Sequence, residues 1–250
     1  MGIDRLKNAY EEACNAFPQE RKFKSFSHML KRCREFLHGI SLDDMHVIEI
    51  GAGSGFFSHY LVECGDVKIV EAVDDYQGKG SPIASGEIIT RMQEILNNKG
   101  QLKILKIDFM KYVPDVPADC IIFINVLHHI VNHIIKSESI SKESAVEKVL
   151  KHAGKCLKKN GIIIFQEFSD RNFYFFPFFR DFVKRVDYSS KISLSIWKAT
   201  LIKAGFTNVE VRYRLPLILP EWKILRLLFN NRLASLLTDS SFIIKAERLG

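Results

Sequence analysis

Val47-Ile48-Glu49-Ile50-Gly51-Ala52-Gly53-Ser54-Gly55-Phe56-Phe57 decides the fold of this 250-residue chain. Val47 to Ile50 reads as a short apolar strand that runs into a glycine turn and then into an amphipathic helix through about Cys64. Backbone without Cβ atoms can turn that tightly and let a ligand lie against it, while the helix that follows aims its unpaired N–H groups at whatever is bound. The stretch predicts a nucleotide-type pocket. A dinucleotide fingerprint needs a third small residue for close helix–strand packing, and counting from Gly51 puts Phe56 there. A dehydrogenase is therefore disfavoured.

Bulk properties set the frame. An apolar content of 47% and a charged content of 26% are those of an ordinary globular protein, and the length suits one large α/β domain. No apolar run approaches the roughly 20 residues that a membrane span requires. Asp4, Glu11 and Glu12 stand where a secretory signal would carry an apolar core, so a cytoplasmic location is expected. Cys14, Cys33, Cys64, Cys120 and Cys156 are scattered and include no C-x-x-C pair, which argues against a disulfide framework and a zinc site. His128, His129 and His133 lack a carboxylate or cysteine at ligand spacing, so no metal is expected. The formal charge of +7 is spread along the chain and reads as a solvated basic surface.

Outward from the glycine turn, residues 1 to 45 read as a helical preface, broken at Pro18, with a second helix from Phe26 to Leu37. It serves as a packing element or as a lid. Val67 to Val73 has the continuous apolar character of a strand buried on both faces and ends in Asp74-Asp75-Tyr76. One helix and a short return fit between Gly51 and Asp74, so both strand ends lie at the same edge of a parallel sheet. An acid at that edge accepts hydrogen bonds from ribose hydroxyls, or caps a turn. A third strand, Leu102 to Ile107, delivers Asp108-Phe109, and a fourth, Cys120 to Ile124, delivers Asn125-Val126-Leu127-His128-His129. The helix Ala145 to Leu157 is closed by Lys158-Lys159-Asn160-Gly161 in the manner of a left-handed cap, before a fifth strand, Ile162 to Gln166, with Glu167 at its end. Ser193 to Ala204 reads as a helix, Val209 to Arg214 as the sixth strand and Ser241 to Ala246 as the last. Two apolar inserts, 168–190 and 215–240, interrupt this alternation.

The ordered set of Glu49-x-Gly51-x-Gly53-x-Gly55, Asp74, Asp108, Asn125 and Gly161 resembles the class I S-adenosylmethionine-dependent methyltransferases over about residues 45 to 214 plus the last strand. The resemblance implies an α/β fold: a Rossmann-like, doubly wound, seven-stranded, mostly parallel sheet with an antiparallel last strand, a helical N-terminal extension and apolar lid inserts. It implies S-adenosyl-L-methionine as cofactor and S-adenosyl-L-homocysteine as product. Glu49, Gly51, Ala52, Gly53 and Gly55 would line the cofactor; Asp74 would hold the ribose, with Asp75 and Tyr76 at the adenine. Asp108 would take the adenine amine with Phe109 on the ring, and Asn125 and Val126 would contact the methionine part. His129, His128 and Glu167 are the candidate catalytic residues, since a histidine there can take a proton from a hydroxyl; shaping the pocket is the competing role.

On this resemblance residues 1–45 form a lid or extension and 46–250 the methyltransferase domain, with the inserts 168–190 and 215–240 as a substrate cap. The turn after the fourth strand has no proline, which disfavours the nucleic-acid base methylators that carry an Asn- or Asp-Pro-Pro-aromatic turn there. Aromatics and leucines in the inserts point to a hydrophobic small-molecule or lipid-like acceptor methylated on oxygen or carbon. The alternatives are an RNA or protein methyltransferase and an inactive cofactor-binding partner subunit. The basic, apolar segment within 215–240 suits a peripheral membrane contact or a homodimer.

Overall fold

The computed structural model describes residues 2–17, 24–76, 84–169, 191–214, 228, 230, 231, 233 and 241–250. Its strands are β1 (His46–Ile50), β2 (Ile69–Asp74), β3 (Leu102–Lys106), β4 (Ala118–Ile124), β5 (Leu157–Phe168), β6 (Phe206–Tyr213) and β7 (Ser241–Arg248). They form one sheet in the order β3-β2-β1-β4-β5-β7-β6, and the seven-stranded Rossmann-like sheet expected from the sequence is what forms. The chain divides into two compact units, Met1–Ile122 and Phe123–Gly250.

In the first unit β1 runs parallel to β2, with Val47 opposite Val70 and Ile50 opposite Val73, and β2 runs parallel to β3. All five residues of β1 are buried, the apolar Val47, Ile48 and Ile50 together with His46 and Glu49, as on a strand covered on both faces. Helix α1 (Gly2–Asn15) buries Leu6, Ala9, Tyr10 and Ala13, one face of a 3.6-residue repeat. Helix α2 (Phe26–Leu37) begins at Ser25, whose hydroxyl accepts the His28 N–H. Both helices pack on the start of α3 (Phe56–Cys64): the Tyr10 ring meets Phe56 edge-on at 4.8 Å, and Phe36 meets Phe57 at 5.3 Å. Tyr10 is thus a core residue, its hydroxyl donating to the Lys24 carbonyl at 2.7 Å. The helical preface braces the helix that follows the glycine turn.

A sealed polar tie joins α3 to α4 (Ser85–Leu96). His59 is fully buried, with Nε2 3.1 Å from the Ile89 carbonyl and Nδ1 3.1 Å from the Asn98 amide nitrogen. That network assigns the tautomer: Nε2–H donates to Ile89 and Nδ1 accepts from Asn98. Burial holds the His59 pKa down to about 4, against the smaller opposing effect of the Ile89 carbonyl. The unfolded chain takes up this proton near pH 6.5, so the stability is fully present above that value and is lost as pH falls through about 4. Between pH 7 and pH 4.5 the wild type is expected to lose about 2–3 kcal/mol more stability than His59→Gln. Urea unfolding of both proteins at the two pH values checks this, and equal losses would exclude His59 as the source.

In the second unit β7 runs antiparallel to both β5 and β6, with Phe165 opposite Ile244 and Val211 opposite Ile244. Helices α5 (Leu127–Glu138), α6 (Lys142–Cys156) and α7 (Leu194–Lys203) belong to this unit. Ser141 caps α6 and Ser193 caps α7, each hydroxyl accepting an N–H three residues on. Trp197 of α7 is fully buried, its ring 5.0 Å from that of Phe165 on β5. One expectation is corrected here. The left-handed residue foreseen as a helix cap is Asn160 (φ 60°), but α6 already ends at Cys156 with Leu157 extended. Residues 157–161 belong to β5, and the Leu157 carbonyl accepts from the Arg248 guanidinium at the far end of β7. The ladder with β7 begins where the sequence placed the strand, Ile162 opposite Glu247.

Insert residues 170–190 lie outside the described residues, as do most of 215–240. Among the described residues no helix is long and apolar enough to cross a membrane.

Candidate functional site

The glycine turn after β1 is left-handed at three positions: Gly51 (φ 75°), Gly53 (φ 54°) and Gly55 (φ 74°). The Gly51 N–H donates to the Val73 carbonyl at 2.8 Å, tying the turn to the end of β2. At Gly55 a glycine is required twice over, by its positive φ and by space, since a Cβ there would stand 2.2 Å from Cγ1 of Ile89. Ala52 closes the turn by accepting the Gly55 N–H at 2.9 Å.

Asp74, the last residue of β2, organises the site from the other strand. Its Oδ2 accepts the Gly53 N–H at 2.9 Å and its Oδ1 accepts the Tyr76 N–H at 2.7 Å. Each oxygen keeps a second lone pair for a ligand hydroxyl. Burial raises the Asp74 pKa while the two backbone amides oppose the rise. Asp75 is exposed. Tyr76 is left-handed (φ 51°), its ring lies over Gly86, and its hydroxyl is buried with no hydrogen-bond partner among the described residues. A buried hydroxyl in that condition is unusual in a folded protein and calls for a ligand or a water.

Glu49 is buried on β1 and accepts the Ser58 hydroxyl from the first turn of α3. Burial raises its pKa to about 8, against the Ser58 hydrogen bond and with help from the Asp74 charge. Asp108 follows β3 and caps a 3₁₀ turn, Phe109–Lys111, by accepting the Met110 N–H at 2.7 Å. The Asp74 carbonyl accepts the Ile107 N–H at 3.1 Å, which fastens the end of β3 beside the end of β2. Phe109 is buried. The first unit therefore gathers Glu49, the glycine turn, Asp74, Tyr76 and Asp108 at the carboxyl ends of three adjacent parallel strands.

The second unit holds the other candidates. Asn125 is left-handed (φ 57°); its N–H donates to the Gln166 carbonyl at 2.9 Å, and its side-chain oxygen accepts from the Gln166 amide at 3.3 Å. Val126 is the residue before α5. His128 donates its backbone N–H to Glu167 Oε1 at 3.3 Å and sets Nδ1 2.7 Å from Glu167 Oε2. Both residues are buried. His129, which the sequence put first as a base, is exposed, its ring 4.1 Å from that of His128. The structure gives the carboxylate partner to His128.

Three participants had escaped the sequence reading. Ser58 stands nine residues beyond Glu49, Ile89 lies on another helix, and Gln166 was read only as the end of a strand. Their pairings depend on elements brought together by folding. Only Gln166, next to Glu167 at a strand end, carried a positional signal.

The sequence matches the family described as Methyltransferase domain over residues 24–211, most of the chain. No curated protein matches it. Among solved structures it is similar to the CurJ carbon methyltransferase, at 19% identity and a TM-score of 0.50, covering 84% of this chain and 50% of that one. It is similar to phosphoethanolamine N-methyltransferase 2 of Haemonchus contortus at 12% identity and a TM-score of 0.58, covering 90% and 53%. It is similar also to the magnesium protoporphyrin IX methyltransferase of Synechocystis, solved with bound S-adenosylhomocysteine, at 15% identity and a TM-score of 0.56, covering 89% and 82%. The chain spans about half the length of the first two, and at these identities the likeness is one of fold. This chain belongs to the methyltransferase-domain family and has the fold of its class I, S-adenosylmethionine-dependent branch.

Proposed function

We propose that the chain transfers the methyl group of S-adenosylmethionine to a hydrophobic small-molecule or lipid-like acceptor, on oxygen or carbon. The observation that carries the cofactor part is the glycine turn pinned by Asp74, with Cβ-free backbone on one side and unspent lone pairs on the other. The buried Tyr76 hydroxyl beside it supports the same reading. When bound, the cofactor supplies a methyl group already activated on a sulfonium centre.

The chain's own residues would bind and orient. The Gly51–Gly55 backbone and the N-terminus of α3 receive the ligand, Asp74 accepts from ribose hydroxyls, and Asp108 accepts from the adenine amine with Phe109 beside it. Asn125 and Val126 contact the methionine part. Glu49 supplies a carboxyl group that a nearby cation would ionise. The activated methyl leaves alignment and exclusion of water as the main tasks of the protein. The hydrophobic acceptor rests on the apolar composition of 168–190 and 215–240, which would cap the substrate together with the helices of 1–45. Each buried square ångström of apolar surface contributes about 25 cal/mol. A second reading, an RNA or protein methyltransferase, draws on the +7 charge and predicts RNA binding that weakens steeply with salt. A cytoplasmic location, with 215–240 touching a membrane surface or a second copy, completes the proposal.

Calorimetric titration tests it. S-adenosylmethionine is expected to bind the wild type at micromolar levels and NAD not at all. Asp74→Ala is expected to weaken binding roughly 10- to 100-fold, as for the loss of hydrogen bonds to a charged acceptor. Binding of NAD alone, or an Asp74→Ala protein that binds like the wild type, would overturn the assignment.

A further inference from the structure

Glu71 lies on β2 three residues before Asp74, so the two-residue alternation of a strand sends these two acids to opposite faces of the sheet. Glu71 is 4% exposed and both its oxygens are engaged. Oε2 accepts the Tyr112 hydroxyl at 2.5 Å, while Oε1 lies 3.2 Å from His46 Nε2 and 3.4 Å from Lys103 Nζ. The adjacent His46 imidazole, helped by the Tyr112 hydroxyl and opposed by desolvation, holds the Glu71 pKa down to about 2. The acceptor of the Tyr112 hydroxyl is therefore a carboxylate.

Tyr112 belongs to the connection between β3 and β4, all of it within the first unit. That connection starts with Asp108, whose Oδ1 accepts the Met110 N–H at 2.7 Å. It then winds through one 3₁₀ turn, the Asp108 carbonyl accepting the Lys111 N–H at 3.0 Å and the Phe109 carbonyl the Tyr112 N–H at 3.1 Å. Tyr112 closes that turn with its ring 3% exposed. The far end of the connection is fastened too, Asp119 Oδ2 accepting the His46 backbone N–H at 2.9 Å. Fixing Tyr112 on Glu71 thus fixes the turn that carries Asp108. Asp108 spends Oδ1 on its own turn, and Oδ2 makes no hydrogen bond among the described residues, which leaves it for a ligand donor.

We infer that Glu71 and Tyr112 are positioning residues for base recognition: latched together they set Asp108 at the purine amine, so the choice of adenine over a 6-oxo purine depends on them. This deepens the cofactor reading and rests on it. An adenine amine donates to Oδ2. A 6-oxo purine turns a carbonyl oxygen toward the same carboxylate, two acceptors meet, and a site built for a donor rejects such a ligand strongly. The rejection needs alignment, because a hydrogen bond weakens steeply as its angle closes. Removing the Tyr112 hydroxyl leaves Glu71 Oε2 without that donor and the turn without its anchor.

The experiment titrates the full chain with S-adenosylhomocysteine and with S-inosylhomocysteine, in which an oxygen replaces the purine amine. The wild type is expected to prefer the adenine form about 10- to 100-fold, as for a hydrogen bond to a charged acceptor. Tyr112→Phe, which removes one oxygen and keeps the packed ring, should reduce that preference about 3- to 10-fold. Glu71→Leu should do the same, and Glu71→Gln, whose amide oxygen still accepts from Tyr112, should restore part of it. Both Kd values come from one sample, so a partly unfolded variant changes neither their ratio nor the conclusion. Asp74→Ala, on the ribose, should weaken both ligands alike and leave the preference intact. Asp108→Asn, whose amide can donate to the 6-oxo group, should erase or reverse it, and adding Tyr112→Phe to Asp108→Asn should change the ratio no further. An unaltered preference in Tyr112→Phe, or a full further loss in the Asp108→Asn background, would overturn the inference, as would a wild type that binds both ligands equally. A wild type that binds neither would remove the cofactor reading itself, which separates the two failures.

Discussion

Gly55→Ala is expected to lower the melting temperature by roughly 10 °C and to abolish cofactor binding. Two costs add. The left-handed φ of +74° at this position costs an L-residue about 1–2 kcal/mol. The new methyl would stand 2.2 Å from Cγ1 and 2.4 Å from Cδ1 of Ile89, a fully buried side chain, and overpacking of that kind costs about 1–3 kcal/mol. For a chain of this size each kcal/mol moves the midpoint by roughly 2–4 °C. Because the collision is with a side chain, it can be relieved from the other side. In an Ile89→Ala background the clash with Cγ1 and Cδ1 disappears and the approach to Cβ at 2.7 Å remains, so Gly55→Ala should still cost energy there, but about 1–2 kcal/mol less. The His59 tie survives that change, since it uses the Ile89 backbone carbonyl. Thermal unfolding of the four proteins gives the interaction energy; strict additivity would show that the collision is not the cause. Titration with S-adenosylmethionine reads the functional loss, because the turn cannot relax away from Ile89 and keep the Gly53 N–H on Asp74.

Glu49→Gln should stabilise the protein in alkali and leave it nearly unchanged in acid. Glu49 is buried, and desolvation lifts its pKa to about 8 although Ser58 donates to it. The folded value lies above the ordinary one near 4.5, so the contribution of the protonated form is intact below about pH 4.5 and is lost as pH rises through about 8. At pH 9 the wild type should therefore be less stable than Glu49→Gln by roughly 4 kcal/mol, with the gap closing toward pH 5. The glutamine oxygen can still accept from Ser58, so packing changes little. Denaturant unfolding of both proteins at pH 5, 7 and 9 measures the gap, and a gap independent of pH would refute the buried-acid origin. The same carboxyl bears on binding. If a cationic ligand ionises it, S-adenosylmethionine should release a proton at pH 7, visible as a dependence of the binding heat on buffer ionisation enthalpy.

Much of the fold was legible because it is written in local signals. Val47, Ile48 and Ile50 put apolar side chains on both faces of one short strand, and the glycines after it mark backbone that no other residue adopts cheaply. The ladder of β5 with β7 begins at Ile162, where the pattern turns apolar after Gly161. The misplaced helix cap shows the limit of such signals. Lys158-Lys159-Asn160-Gly161 has the composition of a left-handed turn, and Asn160 does adopt one. Here the helix has already ended at Cys156 and the turn lies inside β5, whose first carbonyl, that of Leu157, accepts from Arg248 at the other end of the chain.

The succession of strands and helices along the chain, the glycine turn, and Asp74, Asp108 and Glu167 at or just after their strands were determined by the sequence alone, since each rests on residues within one element and the turn that follows it. Three things were decided only by tertiary structure. Asp74 spends a lone pair of each oxygen on the turns it joins, Glu49 is buried against Ser58, and Glu167 selects His128 over its neighbour. Adjacent histidines are equivalent in a linear reading; a helix turns successive side chains by about 100°, so only one can face a given strand. Burial and partner choice are properties of the packed molecule, because desolvation and hydrogen-bond geometry exist only once distant segments meet.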